Sequence, residues 1–569
     1  MAHLLRRAAV VAETRIPAVV NTFARNLRTE ATRLEVPNKF QTLSRVSMQT
    51  IESQQARFFS TARVPFSANR RTPLQDSIWK KDSFLPAQIP TELPPQFEGL
   101  NTLLNKMPVI RPDGVPGLLA ENKFRVTVDK DLPDYSETVD TLLKRFDALS
   151  VRSPDSKESK EIAQTLAYLH RDFQWLTLGY VFEGLRHGEE KASVVLPASI
   201  AKVFKKLCDA LGHKPWLEYA SGYVLNASVL PQMQVDWKDP KSVQAYIRSI
   251  EVVRSFHGGL DEKHFRTVHL AMESQSPELF ASKEMILSGI QTQNHEQIQQ
   301  GYTQLTAALE NMHMAFKQMV PLSDPKKYSA DVRPQIQGLY GNQGAGPGKL
   351  FHEKGVFFEG CGEETFVDAK GVEKKGLWVA NIHGQTGAQS SIFRMVDILT
   401  GTVLVTGEGT PPSPTDNALQ TLLKRFREYR PVAHREAIEK TQEEFESANV
   451  YDHITQNPTT SLRCAEATLA EAKHRLQHYE YTMLFIVGQK GVGPKSQQRS
   501  IGTGGSPTPL YLPTLFKQTL ERFDQLTMHI KKEGLTAQDQ QKFSEALELA
   551  AKLNTRADRL VEDVKVALQ

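Results

Sequence analysis

Apolar residues recur at intervals of three and four along most of the chain beyond residue 135, and this spacing predicts helices. The clearest stripe predicts one long helix that ends at Pro321, because proline cannot continue a helix. The members of that stripe are Ile298, Tyr302, Leu305, Leu309, Met312, Phe316 and Met319. Shorter stripes predict helices over residues 139–149, 162–182, 200–211, 243–256, 262–272, 417–428, 433–446, 462–487, 515–532 and 537–568. The predicted fold class is therefore all-α, that is, mainly helical.

Two regions depart from this helical pattern. Between Pro321 and Pro414 the chain is rich in glycine and holds two short runs of β-strand character, residues 356–358 and 377–379. Residues 86–116 are rich in proline and predict an extended linker. The breaks divide the chain into a leader (1–60), a Pro-rich linker or arm (61–135), a small N-terminal helical domain (136–250) and a large C-terminal helical domain (251–569).

Composition sets the first sixty residues apart. They carry nine lysines and arginines against four glutamates, with many serines and threonines, which is typical of a mitochondrial transit peptide. The segment 57–61 resembles a mitochondrial processing site, and a plain disordered tail is the alternative. The leader's charge of +5 exceeds the +4 of the whole chain and leaves −1 on the remainder, so no nucleic-acid surface is expected. No apolar run is long enough for a membrane span.

Three other features of the sequence do not indicate a functional site. The three cysteines lie far apart in sequence, which argues against a disulfide framework and for a reducing compartment. The glycine-rich segment 341–350 lacks the P-loop spacing, and Pro347 removes a backbone N–H that would bind phosphate, so a loop is predicted there. His474 and His478 have the spacing of a helical zinc site, but Arg475 stands where a zinc protease carries its catalytic glutamate.

The predicted helix 462–487 has two different faces. Its apolar stripe consists of Leu462, Ala465, Leu469, Ala472, Leu476, Met483 and Ile486. His478 lies about 200° from Leu476 around the helix, at 3.6 residues per turn, and shares its own face with Arg475 and Phe485. An imidazole, a cation and an apolar ring together suit a haem. On this helix alone, an ordinary helix histidine is the simpler interpretation.

Several separated segments resemble the indoleamine 2,3-dioxygenase family, in the manner of a fungal-type member with a leader. The resemblance begins near Val194 and Tyr219 and runs to the Gly-Thr-Gly-Gly motif, residues 502–505. Its most specific parts are residues 256–259 with His269 and Glu273, Pro325 to Tyr328 with Arg333, Gly384 to Ser391 with Phe393 and Asp397, Tyr429 to Pro431 with 433–435, and Arg475 with His478. Each is weak alone, but their order and intervals together are specific.

The resemblance implies haem b as the cofactor, bound in the large domain. It makes His478 the proximal ligand of the iron and places Arg475 near a haem propionate, with Asp397 and Phe393 also expected at the haem. Two residues depart from mammalian-type members: Tyr328 replaces a phenylalanine and Ala388 a glycine. These departures bear on efficiency and substrate range more than on haem binding, because neither is the axial ligand.

The resemblance also implies a substrate pocket. Arg333 is expected to bind the substrate carboxylate through its planar, permanently charged guanidinium, although a surface ion pair is the alternative. Tyr328 and Ser329 are expected over the distal face of the haem, Thr386 and Gly387 in a pocket-lining loop, and Thr503 in a flexible loop that closes on the substrate. His269 is expected either to line the distal pocket or to pack beneath it. The expected catalytic residues are Arg333, His269 and Tyr328.

The implied activity is cleavage of the indole C2–C3 bond of L-tryptophan by O2, giving N-formylkynurenine for tryptophan catabolism and NAD synthesis. An electron donor must keep the iron ferrous, and a monomer without nucleic-acid partners is expected. Three alternatives stay open: a related protein acting on another indoleamine, a haem protein that binds O2 without turnover, and a helical scaffold without cofactor. Arg333 and the 502–505 loop favour the enzyme.

Overall fold

The computed structural model describes residues 78–89, 91–344, 349–410, 413, 416–489, 492, 501–506 and 508–568. The predicted leader, its processing segment and positions 345–348 of the glycine-rich loop lie outside the described residues. Residues 68–554 form one compact unit, which contains every site residue discussed below. The predicted boundary between a small and a large helical domain at residue 250 stays a prediction.

The described chain is mainly helical, as predicted. The longer helices are α1 (Glu98–Lys106), α2 (Phe124–Asp131), α3 (Ser136–Arg152), α4 (Lys157–Arg186), α5 (Ala198–Leu211), α6 (Pro240–Ser249), α7 (Leu260–Glu273), α8 (Ser276–Gln291), α9 (His295–Lys317), α10 (Ser391–Thr400), α11 (Ala418–Phe426), α12 (Val432–Ser447), α13 (Val450–Thr455), α14 (Pro458–Thr482), α15 (Thr508–Thr527) and α16 (Ala537–Leu568). None of the helices in this part of the chain is long and apolar enough to cross a membrane.

Short helical turns and π-helical turns connect these helices. The short turns are Pro95–Phe97, Tyr219–Gly222, Val224–Asn226, Met319–Leu322, Pro325–Lys327, Arg333–Ile336, Gly387–Gln389, Val403–Thr406, Arg427–Tyr429 and Lys532–Gly534. Two segments form π-helical turns, Tyr328–Val332 and Met483–Val487. Such wide turns are uncommon and occur most often at functional sites.

Among the residues that the structure describes, two small sheets interrupt the helices. In the first, β1 (Val195–Leu196) pairs in parallel with β4 (Val356–Val367), which pairs antiparallel with β5 (Glu373–Val379). In the second, β2 (Ala227–Val229) pairs antiparallel with β3 (Glu251–Val252). The two predicted β-runs are the first three residues of β4, which are buried, and the last three of β5, of which Val379 is buried and Leu377 and Trp378 are half-buried. Both strands extend into exposed polar residues, which the apolar pattern did not reveal.

Three predicted helix ends were wrong, and one helix was missed. The helix predicted to end at Pro321 ends at Lys317, with Pro321 in the separate turn Met319–Leu322, and the helix predicted over 515–532 ends at Thr527. The helix predicted over 243–256 ends at Ser249, because Ile250 turns to an extended conformation and Glu251 begins β3. Helix α8 was not predicted. Its buried face mixes Leu279, Phe280, Ile286 and Ile290 with the polar residues Ser282 and Lys283 and with Gly289, and this mixture weakens the apolar period.

The predicted Pro-rich linker also contains regular structure. Helix α1 lies within it and buries Leu100, Leu103 and Leu104, and α2 follows with Phe124 and Val128 buried. Prolines flank α1 instead of interrupting it, because Pro95 begins the short turn that precedes the helix. A proline-rich composition thus concealed a short helix whose side chains reach the core.

The long helices that build the interior also carry the site. Helix α9 packs against α8 and α14, and α14 packs against α15. Along α14, Leu462, Ala465, Leu469, Ala472 and Leu476 are buried, as the predicted stripe requires. Beyond Thr482 the π turn shifts the pattern, so Phe485 is buried and Ile486 is only half-buried. The stripe prediction was therefore wrong for Ile486.

Candidate functional site

His478 lies near the end of α14, beside a group of aromatic side chains that is called the recess here. The group consists of Tyr223, Phe265, Phe316, Tyr328 and Phe485. The side chain of His478 is exposed, whereas His474, one turn earlier, is buried. Desolvation nevertheless lowers the pKa of His478 to about 4. Within the described part of the chain, no residue shares a hydrogen bond with its ring. An imidazole that is accessible, neutral and not hydrogen-bonded is available to a ligand.

His269 on α7 reaches the same recess from another helix. Its Nδ1–H donates to the Phe265 carbonyl at 2.7 Å, which leaves Nε2 as a hydrogen-bond acceptor. Desolvation lowers its pKa to about 4. The ring of Phe316 lies 6.5 Å from that of His269 and 6.0 Å from that of His478, measured between centroids. Phe316 on α9 therefore connects the two histidines.

Aromatic rings line the recess around His269. The ring centroids of Tyr223 and Phe265 lie 4.6 Å and 4.9 Å from that of His269. Tyr328 packs 4.7 Å from Phe265 and 5.7 Å from Phe485. The two π-helical turns thus each contribute one of these rings, Tyr328 and Phe485, and the rings meet. The recess offers flat apolar surfaces, which suit a planar aromatic ligand.

The π turn 328–332 brings Tyr328 and Ser329 into the interior and leads directly to Arg333. All three side chains are buried. Arg333 donates from Nη2 to the Ile501 carbonyl at 2.6 Å. Desolvation raises the pKa of Tyr328 to about 12, although the charges of Arg333 and Arg266 oppose the shift. The Arg333 charge therefore acts on the Tyr328 hydroxyl inside the recess.

The predicted pocket loop and the predicted flexible loop contact each other. Thr503 donates from its hydroxyl to the Gln385 carbonyl at 2.5 Å, and Gly338 N–H donates to the Thr503 carbonyl at 3.1 Å. Gly384 has no room for a side chain, because a Cβ there would lie 2.3 Å from Gly338 N. A Cβ on Gly387 would meet nothing within 4 Å. Gly384 is thus a packing position, whereas Gly387 faces open space.

A second layer of residues holds the pocket loop. Arg430 donates to the carbonyls of Ala388 at 3.1 Å and Ser390 at 3.2 Å. The hydroxyl of Tyr429 accepts from the backbone N–H of His383 at 2.8 Å. The motif 429–431, which the sequence offered without a role, therefore positions the loop from behind.

Arg475 lies among carboxylates. It forms an ion pair with Asp397 and a second one with Glu471, whose Oε1 lies 2.9 Å from the Arg475 Nη2. Its Nη1 donates to the Thr519 hydroxyl at 2.6 Å. Desolvation raises the pKa of Asp397 to about 7 against the attraction of Arg475. Phe393 lies 5.1 Å from the buried His474 ring, measured between centroids. The structure thus pairs Asp397 with Arg475 and places Phe393 against the helix that carries His478, whereas no contact of Phe393 or Asp397 with His478 is seen among the described residues.

One residue of the site, Phe316, was missed, and another, Glu273, was named in the sequence without a role. Phe316 was counted in the apolar stripe of α9, yet its ring lies between the site histidines. Glu273, one turn after His269, is buried and accepts from the Ser390 hydroxyl at 2.6 Å. Desolvation raises its pKa to about 7. The spacing of four from His269 was the available signal for Glu273, whereas no sequence signal separates Phe316 from a core residue.

Comparison with known proteins supports the resemblance seen in the sequence. The profile of the family described as Indoleamine 2,3-dioxygenase matches residues 76–544. Indoleamine 2,3-dioxygenase 1 of Rattus norvegicus is 25% identical over 354 residues, 60% of this chain and 76% of the rat protein. The Mus musculus protein of the same name is 26% identical over 312 residues, 54% of this chain and 65% of the mouse protein. A myoglobin of Haliotis madaka is 24% identical over 431 residues, 74% of this chain and 90% of the myoglobin.

Proposed function

The chain belongs to the indoleamine 2,3-dioxygenase family, and we propose that it is a haem-dependent dioxygenase that opens the indole ring of L-tryptophan. In this reaction both atoms of O2 enter at the indole C2–C3 bond and the product is N-formylkynurenine. The observation that carries the proposal is the accessible, neutral His478, which shares an aromatic recess with His269.

The residues of the recess fit a haem. An axial ligand must be a neutral imidazole, and the pKa of about 4 keeps His478 neutral at physiological pH. Phe316 and Phe485 offer apolar contact, and the open space at Gly387 leaves room beside the loop. When bound, the haem iron supplies the binding and activation of O2. The protein supplies the ligand and the orientation.

Arg333 is proposed to bind the tryptophan carboxylate. A buried guanidinium offers two parallel N–H donors to a carboxylate, and low exposure strengthens the interaction. Its Nη2 now donates to the Ile501 carbonyl, so a carboxylate would exchange with that oxygen. The indole ring would then pack on the aromatic side chains that include Tyr328 and Phe265. Substrate binding and the 501–505 segment are therefore coupled through one donor group.

His269 is proposed to orient the indole. Its Nδ1–H is held by the Phe265 carbonyl, so its Nε2 lone pair accepts a hydrogen bond from the indole N–H. The lowered pKa keeps this nitrogen unprotonated over the physiological range. Tyr328 completes the wall on the side of Arg333. The residues thus fix the ring plane and its edge, which places the C2–C3 bond for reaction.

A second candidate is an O2-binding haem protein without turnover. The match to the Haliotis madaka myoglobin covers 90% of that protein, more than the 76% of the rat protein that is covered. Both candidates need His478, but only the enzyme needs a carboxylate-binding residue inside the recess. A third candidate is a haem enzyme that acts on another indoleamine. The Tyr328 hydroxyl and the Ala388 methyl group would influence which substrate the recess accepts.

One experiment separates the three candidates. The haem-loaded full chain is reduced, mixed with L-tryptophan and 18O2, and the products are identified by mass spectrometry. N-formylkynurenine with two labelled oxygen atoms supports the proposal. A stable oxygenated spectrum without product supports the O2 carrier, and product from tryptamine or another indoleamine but not from tryptophan supports the third candidate. A matched Arg333→Gln protein, which replaces the guanidinium by a shorter, uncharged amide, serves as control.

A mitochondrial location is also proposed. It rests on the composition of residues 1–60 and on the segment 57–61. Cell fractionation and N-terminal sequencing of the mature protein test it. A mature N-terminus near residue 60 in the mitochondrial fraction is expected, whereas an intact N-terminus in the cytosol would contradict it.

A further inference from the structure

Three potential metal ligands meet at a place that the proposed reaction does not use. His170 lies on α4, His213 follows α5, and Glu218 precedes the Tyr219–Gly222 turn. One ligand atom from each residue lies within 4.8 Å of the other two. The His213 Nδ1 and Glu218 Oε2 atoms are 2.5 Å apart, and the two imidazole centroids are 4.6 Å apart. Helix α4 and the segment that holds His213 and Glu218, which lie 43 or more positions apart in sequence, thus converge on one point.

A small cavity adjoins the two histidines. Its volume is about 20 Å³, and its other walls are mainly apolar, including Trp79, Leu211 and Pro431. That volume is enough for one water molecule, which needs about 10–15 Å³ by the same measure. His170 and His213 are the lining residues that carry a metal-ligating atom. A metal-bound water would therefore have a place next to both imidazoles.

Hydrogen bonds hold the ligand side chains in position. Gln174 donates from Nε2 to His170 Nε2 at 3.0 Å and accepts at Oε1 from the Glu218 N–H at 3.1 Å. The Glu218 Oε1 atom accepts from the Lys214 N–H at 2.9 Å. His170 and Glu218 are buried. The bond from Lys214 orients the Glu218 carboxylate, as outer hydrogen bonds do in metal sites. The Gln174 amide occupies the lone pair of His170 Nε2, so an ion that binds this nitrogen must displace the Gln174 N–H.

We propose that His170, His213 and Glu218 bind one divalent transition-metal ion, with Zn²⁺ as the best match, and that a water molecule in the adjacent cavity is the fourth ligand. Two imidazoles and one carboxylate with an open fourth position form a common zinc ligand set. Two neutral imidazoles and a carboxylate carry a charge of −1, which a buried dication offsets. Arg435 donates to the Gly212 carbonyl at 3.4 Å and lies within reach of the Glu218 charge. The ion displaces the proton in the His213–Glu218 hydrogen bond, and that proton leaves to solvent.

The ion would support the pocket loop without touching the substrate. Gln385 donates from Nε2 to the Glu218 carbonyl at 3.1 Å, and the Tyr219 N–H donates to Gln389 Oε1 at 3.1 Å. The ligand segment 213–219 is therefore fastened to both ends of the loop that contains Gly387. A bound ion cross-links α4 and this segment, so it stabilises the folded state by an amount that grows with the logarithm of the free ion concentration above Kd. The inference is independent of the proposed reaction.

The test uses the full chain with haem loaded, so that histidines near the haem cannot bind the probe. The protein is treated with chelator, equilibrated with Zn²⁺, passed through gel filtration and analysed for zinc and iron by mass spectrometry. About one zinc per chain is expected in the wild type, as for a preformed three-ligand site, together with a higher melting temperature. Glu218→Gln and His213→Ala are expected to lose the retained zinc and the thermal shift.

His264→Gln is the matched control, because His264 is also buried but bonds to the Leu322 carbonyl away from the cluster. It is expected to retain zinc as the wild type does. Wild-type protein that retains no zinc would overturn the proposal, as would equal retention in His213→Ala and Glu218→Gln. If either variant fails to fold, Co²⁺ added to wild-type protein gives a second measurement: perturbation of the nitrogen signals of His170 and His213 by the paramagnetic ion supports the site, and unchanged signals overturn it.

Discussion

Arg333 donates from its Nη2 to the backbone carbonyl of Ile501 across 168 positions of sequence. The guanidinium that is proposed to bind the substrate carboxylate is thus already paired with an oxygen of the segment next to Gly502. A carboxylate that takes this position releases the carbonyl, and the loop must then find another arrangement. Tryptophan binding and the conformation of the 501–505 segment are therefore expected to change together.

The first prediction concerns this arginine. Arg333→Gln is expected to lower kcat/KM for L-tryptophan by roughly 10- to 100-fold, since a hydrogen bond to a charged group contributes about 1.5–3 kcal/mol. The effect should appear mainly in KM, because the carboxylate does not react. Steady-state kinetics measure it, with tryptamine as control because it lacks the carboxylate. Equal losses for both compounds would show that Arg333 acts on the fold and not on the carboxylate.

The second prediction concerns the axial ligand. His478→Gly is expected to lose the Soret band of bound haem, because this variant removes the imidazole that is proposed to bind the iron. Added imidazole should restore part of the band by entering the space that the side chain leaves. Absorption spectra of haem titrations measure both effects. His474→Gln, one turn away, should keep the band, and loss in that variant with retention in His478→Gly would reverse the assignment.

The third prediction concerns Glu273. Burial raises its pKa to about 7, from an ordinary value of 4.5 in the unfolded chain. Between pH 4.5 and 7 the folded state therefore binds this proton more tightly than the unfolded chain does. The contribution of Glu273 to the free energy of unfolding falls as the pH rises through this window and is constant outside it. Glu273→Gln removes the slope. Its free energy of unfolding relative to wild type should rise across the window by up to about 3 kcal/mol, at 1.36 kcal/mol per pKa unit.

Urea denaturation of both proteins at several pH values measures this difference. The exposed residue Glu278 offers the matched control, and Glu278→Gln should show no comparable trend. A constant difference between Glu273→Gln and wild type from pH 4.5 to 7 would mean that the Glu273 carboxyl titrates normally.

The fourth prediction compares two glycines of one loop. Gly384→Ala forces a Cβ against Gly338 N and the Thr503 carbonyl, so a loss of about 1–3 kcal/mol of stability is expected. Gly387→Ala meets open space and should change stability by less than about 0.5 kcal/mol. Thermal denaturation gives both values. Since Gly387 is proposed to line the substrate pocket, Gly387→Ala should still weaken tryptophan turnover. Similar stability losses in both variants would contradict the tight packing at Gly384 and the open space at Gly387.

Periodicity predicted the helices that have a single clean apolar face, such as α9 and the first five turns of α14. It failed where burial and polarity are mixed, as in α8 with Lys283 inside, and where prolines flank a short helix, as at α1. The site was predicted through motif order and not through geometry. The contacts of Phe316 and Arg430 arise from packing between distant segments, and no local pattern in the sequence records such contacts.

The two π-helical turns have a consequence for how such a recess can change during evolution. A π turn is the trace of one residue added to a helix, and it rotates everything beyond it by about 100° at 3.6 residues per turn. Deleting one residue from 483–487 would replace Phe485 at the recess and turn Ile486 toward a different neighbour, while the contacts of α14 before Thr482 would stay in register. A single-residue insertion or deletion at either turn would thus change the side chains that line the recess. The helix that carries His478 would not need to change.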